Sequence, residues 1–205
     1  MAALKQYHSG SPRTDFQMVP ICENPWNYPY APQAGAGLQT DFETGALLVR
    51  LEATEPRTAI RAEACQTNDR VWEDSCLEFF LNPMPDHGNG YLNLETNARG
   101  VMLLGVHTNQ FSTETDEFDE AFFDMHVHHQ FLPEGWIRWT LDYRIPFSYI
   151  RRWFPAFDPK PGTRITGNFY KCGDLCPQEH YLAWSPVQWP VPSFHRPECF
   201  GIIDL

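Results

Sequence analysis

Positive charge is scarce in this sequence: 15 Lys and Arg stand against 26 Asp and Glu, for a formal net charge of −11. A nucleic-acid binder needs a basic footprint for phosphates, and an anionic membrane surface recruits basic segments, so neither nucleic acid nor membrane is expected as a partner. Long apolar runs are also missing, and none approaches the roughly 20 residues of a membrane span. The opening MAALKQYHSGSPRTD has no apolar stretch of the secretory kind. This gives an expectation of cytoplasmic residence, or of an extracellular one if an export segment has been trimmed away. There is no GxSxG, HExxH or P-loop, and no GxGxxG in a strand–helix setting, which weakens the familiar hydrolase, protease and nucleotide-binding classes. The six cysteines (Cys22, Cys65, Cys76, Cys172, Cys176, Cys199) are dispersed. Their one close pair, in CGDLC (172–176), is neither a CxxC redox motif nor a complete zinc set. Free thiols are therefore expected, with this pair packed as small hydrophobes rather than holding a metal.

What the chain does contain is apolar and aromatic material. Of 205 residues, 42% are hydrophobic, enough for one sizeable core without disulfide staples. Eighteen Pro and thirteen Gly punctuate it. Residues 1–45, including ENPWNYPYAPQAGAG, read as an irregular leader laid over the core, and residues 46–205 as a single domain. Strands are expected in ALLVRLEA (46–53), RTAIRAEAC (57–65), CLEFFLN (76–82), YLNLET (91–96), GVMLLGV (100–106), FFDMHVHHQ (122–130), WIRWTLDYRI (136–145), RITGNFYKC (164–172), YLAW (181–184) and the closing FGIIDL. One short helix is expected near 147–154, N-capped by Ser148. The stretch TETDEFDEAFFD (113–124) reads as an acidic, solvated loop. Many short strands without intervening long helices predict an all-β fold, an antiparallel β-sandwich of the two-sheet jelly-roll or immunoglobulin-like kind.

Three constellations bear on chemistry. Seven Trp and eight Tyr exceed the needs of a core this size. Trp26, Tyr28, Tyr30, Trp72, Trp189 and Phe194 fall in loop-like sequence, where a flat ring can desolvate the C–H face of a sugar while carboxylates, amides or Lys hold its hydroxyls. Packing of the core or its lids is the competing role for each ring. Glu73, Asp74, Glu78 and Glu95 come together if 76–82 and 91–96 form a hairpin. Such carboxylates can accept sugar hydroxyls, bind Ca2+ or perform acid–base glycoside hydrolysis, and no spacing selects hydrolysis. His126 and His128 share a strand face with Asp124, a set short of a full metal site, so an exposed polar face is favoured.

The segments VWEDSCLEFFLNP (71–83) and YLNLETNARGVML (91–103) resemble the family 9 carbohydrate-binding modules and the wider group of family-9-like sandwiches. WTLDYRIPFS (139–148), PGTRITGNFYK (161–171), AWSP (183–186) and FHRPECFGIIDL (194–205) continue the resemblance in order, over about residues 40–205. It implies a non-catalytic β-sandwich, associated with polysaccharide catabolism, that grips a chain-end sugar between two Trp rings. Trp72 matches the first platform and Glu78 the strand Glu that bonds the sugar. Glu95 stands where the family has Arg, Lys171 where it has Gln, Phe194 where it has the second Trp, and Val191 where it has Asn. Trp189 is then a replacement platform, Asn93 a further polar contact, and Glu95 with Lys171 a compensating swap across the cleft. The resemblance also implies structural calcium and, from the wider superfamily, haem held by residues such as Met102, Met125, His107 and His126. A glycoside-active enzyme using Glu78, and an interaction domain that has lost its sugar, are the alternatives.

Overall fold

The protein, seen in a computed structural model that describes residues 4–108, 112–114 and 120–205, is a two-sheet sandwich. Its strands are β1 (Gln6–His8), β2 (Val19–Pro20), β3 (Gln33–Asp41), β4 (Ala46–Pro56), β5 (Cys76–Asn82), β6 (Tyr91–Asn97), β7 (Met102–His107), β8 (Ser112–Glu114), β9 (His126–Phe131), β10 (Trp136–Pro146), β11 (Arg164–Cys172), β12 (Tyr181–Ala183) and β13 (Gly201–Asp204). Among the described residues are also two short α-helices, α1 (Glu120–Phe123) and α2 (Phe147–Trp153), and several single turns of 3-10 helix. The large sheet runs β1-β13-β11-β5-β6-β7-β8, with β12 also paired to β11, and the small sheet runs β2-β3-β4-β10-β9. All pairs are antiparallel except β1 with β13. No described helix is long and apolar enough to cross a membrane.

Period-2 alternation sorts each strand between two environments. Leu77, Phe79 and Leu81 of β5, Leu92 and Leu94 of β6, and Phe169 of β11 face the small sheet. There they meet Leu38, Val49, Leu51, Trp139 and Leu141 in the main core. Phe79 and Phe169 stack with ring centroids 4.6 Å apart, and burial of each such ring stabilises by about 1.5–3 kcal/mol. The opposite face of the large sheet carries a second cluster, with Cys76, Phe80, Tyr91, Leu103, Tyr170, Cys172, Tyr181 and Phe194. Every residue of β5 and of β6 is accordingly buried, where an antiparallel sheet commonly leaves one face to water.

Four sequence expectations need correction. Residues 1–45 are not irregular throughout: 33–41 form the nine-residue β3, hydrogen-bonded along β4, and β1 joins the large sheet. Residues 57–65 do not form a strand; the ladder stops at Pro56, and a single turn of 3-10 helix, Arg57–Ala59, follows. Ser148 lies inside α2, whose N-cap is Pro146. Residues 120–123 begin as a helical turn before β9. The acidic stretch 113–124 lies partly outside the described residues.

Candidate functional site

Three neighbouring strands build the floor of a cleft on the outer face of the large sheet. β5 supplies Glu78 and Phe80, β6 supplies Asn93 and Glu95, and β7 supplies Leu103, Gly105 and His107. The walls come from loops: Trp72 from the turn before β5, Cys172 and Asp174 at the end of β11, Tyr181 from β12, and Pro192 to His195 from the segment leading to β13. The cleft encloses about 770 Å³, within the range usual for small-ligand sites. Trp72 is half-buried with its ring in the cleft wall, and Glu78 is almost fully buried in the floor. The structure thus brings these two sequence-selected residues into one hollow, together with Asn93, Glu95 and Phe194.

The polar floor is organised as a directed chain. Ser112 Oγ donates to His107 Nδ1 at 2.7 Å, His107 Nε2 donates to Asn93 Oδ1 at 2.9 Å, and Asn93 Nδ2 donates to Glu95 Oε1 at 2.8 Å. Such a chain needs a neutral imidazole. Burial, aided by the neighbouring His195, lowers the His107 pKa to about 4. Gly105 makes the chain possible, because a Cβ there would stand 2.1 Å from Asn93 Oδ1. Glu78 lies directly opposite Glu95 in the ladder. Burial and then the Glu95 charge push its carboxyl well above the ordinary carboxylate range. Its Oε1 accepts from Cys172 Sγ at 3.0 Å, while Oε2 has no hydrogen-bond partner. Asp174, raised to about 6 chiefly by burial, adds a further acid that titrates near neutrality.

The aromatic walls are braced from behind. Phe194 stacks on Tyr170 with centroids 4.0 Å apart and meets Trp26 at 5.8 Å. Trp26 in turn donates to the Trp189 carbonyl at 2.8 Å. Tyr28 packs on Tyr181, and Tyr30 on His180. Trp26 and Tyr28 therefore buttress the cleft instead of lining it, while Tyr30 packs on the partner of the inward-facing Lys171.

Two site expectations fail. Lys171 does not reach the cleft: it pairs with Leu77 across the ladder and points into the main core, fully buried. There its ammonium meets Glu55 Oε1 at 3.3 Å and donates to His180 Nε2 at 2.7 Å. The swap with Glu95 is thereby excluded, because the two side chains leave opposite faces of the same sheet. Trp189 does not line the cleft either. It sits in a shallow depression next to it with Trp26, Tyr28 and the exposed Val191, and the Arg196 guanidinium lies over its ring at 3.3 Å.

Other candidates fall to structural roles or to the surface. Asp74 is fully buried, accepting from Arg61, from the Glu63 and Ala64 amides, and from Asn97 Nδ2. Glu73 pairs with Arg70 at 3.3 Å. His126 and His128 are exposed, and the Asp124 contact adds one carboxylate without closing a ligand set. Met102 faces the main core and His107 the cleft, so they cannot grip one haem from two sides. Sequence reasoning overlooked His107 as a cleft residue, along with Asp174, Tyr181 and His195. The first was legible, since the alternation through LLGVH places it beside Gly105.

The family model for carbohydrate-binding family 9 matches residues 10–205. No curated protein matches the chain. Among solved structures, the chain is similar to a candidate carbohydrate-binding protein from Bacteroides uniformis. The two share 25% identity over 98% of this chain and 99% of the other, with a TM-score of 0.81. It also shares its fold with a family 9 carbohydrate-binding module from Caldicellulosiruptor kristjanssonii solved in complex with glucose, at 14% identity over 98% and 95% of the two chains and a TM-score of 0.58.

Proposed function

We propose that this chain, which belongs to carbohydrate-binding family 9, binds a sugar in the outer-face cleft and performs no chemistry on it. The observation that carries the reading is the convergence of Trp72 and Glu78 in one hollow with Asn93, Glu95 and Phe194. A pyranose has an apolar face that suits the Trp72 indole, and the chain-end unit of a glycan is the part that fits a cleft closed behind by Phe194 and Tyr181. Its hydroxyls meet the Glu78, Asn93 and Glu95 groups, already fixed by their own hydrogen bonds, so little ordering is required on binding. Association with polysaccharide catabolism follows as the setting for such a module.

Hydrolysis is the weaker reading. Glycosidases place two carboxyl groups on either side of the scissile bond. Glu78 and Glu95, as direct cross-strand partners, stand side by side on the floor and leave the sheet in the same direction. Calorimetry with mono- and oligosaccharides tests the proposal. Trp72→Ala is expected to abolish binding, and Trp189→Ala to retain it. Binding that survives Trp72→Ala places the sugar elsewhere, and turnover of an aryl glycoside abolished by Glu78→Gln makes the protein an enzyme.

A further inference from the structure

In the cleft floor lies a group of ligand atoms of which the sugar reading uses Glu78 alone. Cys76 and Glu78 stand two apart on β5 and so share its outer face, and Cys172 on β11 is the register partner of Cys76. The two sulfurs and a Glu78 oxygen all lie within 4.8 Å of one another, and all three side chains are buried. Glu78 and Cys172 border the cleft. Glu78 Oε2 is unpartnered although its residue is only 2% exposed, and leaving a buried acceptor unsatisfied is costly. The Lys171 ammonium is on the other face of the sheet, engaged by Glu55, His180 and the Cys172 carbonyl. Two thiols and a carboxyl with one unpartnered oxygen thus converge on one buried point, where a cation that displaces their protons would engage all three.

We propose that Cys76, Cys172 and Glu78 form a binding site for a divalent cation of the zinc class, with one coordination position open to the cleft. Two thiolates and one carboxylate are a donor set that zinc accepts, whereas calcium takes oxygens only. Zinc at about 2.3 Å from sulfur and about 2.1 Å from oxygen holds its ligands a little under 4 Å apart. The three ligand atoms already lie within 4.8 Å of one another, close to that spacing. Three protein ligands leave the fourth position for water or for a hydroxyl of the bound sugar, the arrangement of open rather than closed zinc sites. Binding releases the thiol and carboxyl protons.

The test is a titration of the reduced full chain with Co2+ as spectroscopic probe, in a background where the exposed Cys22 and Cys65 are replaced by Ser. One equivalent is expected to give a thiolate-to-metal charge-transfer band with tetrahedral d–d absorption, both erased by Zn2+. Cys172→Ser and Cys76→Ser each remove the band. Glu78→Gln keeps it but weakens affinity by about tenfold or more. One equivalent of Zn2+ also raises the unfolding temperature of the unsubstituted protein, a readout that needs no variant. Absence of a saturable band, a band unchanged in Cys172→Ser, or no thermal shift overturns the proposal. No glycan enters the titration, so its failure leaves the sugar reading standing, and failure of the sugar calorimetry leaves the metal site standing.

Discussion

On β5, Leu77, Phe79 and Leu81 face the small sheet, while Glu78 and Phe80 between them face the cleft. β6 repeats the division, with Leu92 and Leu94 inward and Asn93 and Glu95 outward. Both faces are buried, yet they are closed in different ways. The inner face is sealed by another sheet, and its charged group is Lys171, whose ammonium meets Glu55 Oε1 and His180 Nε2, with Trp139 Nε1 also donating to Glu55 Oε1. The outer face is roofed by loops, and its acids, amides and thiols are held in place by short hydrogen bonds along the floor. Close packing stabilises the first face, and the gaps left by loop closure give the second somewhere to receive a ligand.

The sharpest way to break this division is to damage one face and read the other. Phe169→Ala removes a ring stacked in the main core and is expected to cost about 3–5 kcal/mol, measured by chemical denaturation. Lys171→Met leaves Glu55 buried without its cation and is expected to cost a comparable amount, about 3–5 kcal/mol. Its folded fraction should bind glycan with unchanged affinity. Lost affinity with intact stability would return Lys171 to the cleft. Gly105→Ala reverses the pattern: the new methyl displaces Asn93 and breaks the chain to Glu95. Glycan affinity is expected to fall by about tenfold, a loss of about 1.4 kcal/mol, while the denaturation midpoint moves less than for either inner-face change.

Acid stability sharpens the comparison further. His180 on the inner side has its pKa lowered to about 3, by burial and then by the Lys171 charge, and His107 on the outer side sits at about 4, both against an ordinary value of 6.5. A depressed folded-state value means the unfolded chain takes up the proton more readily. The stability each contributes is therefore complete above about pH 6.5 and is lost as pH falls towards 4 and 3. Imidazole resonances of both are expected to stay in the neutral form at pH 5. His180→Gln should flatten the decline of stability over that interval. The smallest effect is expected at the surface, where His128→Gln should change stability by no more than about 0.5 kcal/mol.

Much of the division was legible in the sequence, because alternation along CLEFFLN and YLNLET assigns faces directly, and Trp72 with Glu78 needed only the turn before β5 to bring them together. Lys171 was misassigned although its own strand carried the signal: Phe169 inward implies Lys171 inward, with Tyr170 and Cys172 outward. Lys is rarely fully buried unless paired, and its partner Glu55 belongs to the opposite sheet, out of reach of local reading. β3 was hidden because QAGAGLQT is rich in residues that mark turns. Its small side chains instead suit close packing, Gly37 lying against Met18 and Phe16. Asp174, Tyr181 and His195 reach the cleft from three separate segments, and only long-range packing brings them there.

The central claim is that the outer face, and not the neighbouring depression, receives the sugar. Backbone and indole resonances followed during titration with an oligosaccharide test it most directly. The account predicts saturable shifts at Trp72, Glu78, Asn93, Glu95 and Gly105, with the Trp189 indole and β9 unmoved. Shifts confined to Trp26, Trp189 and Val191 would contradict it.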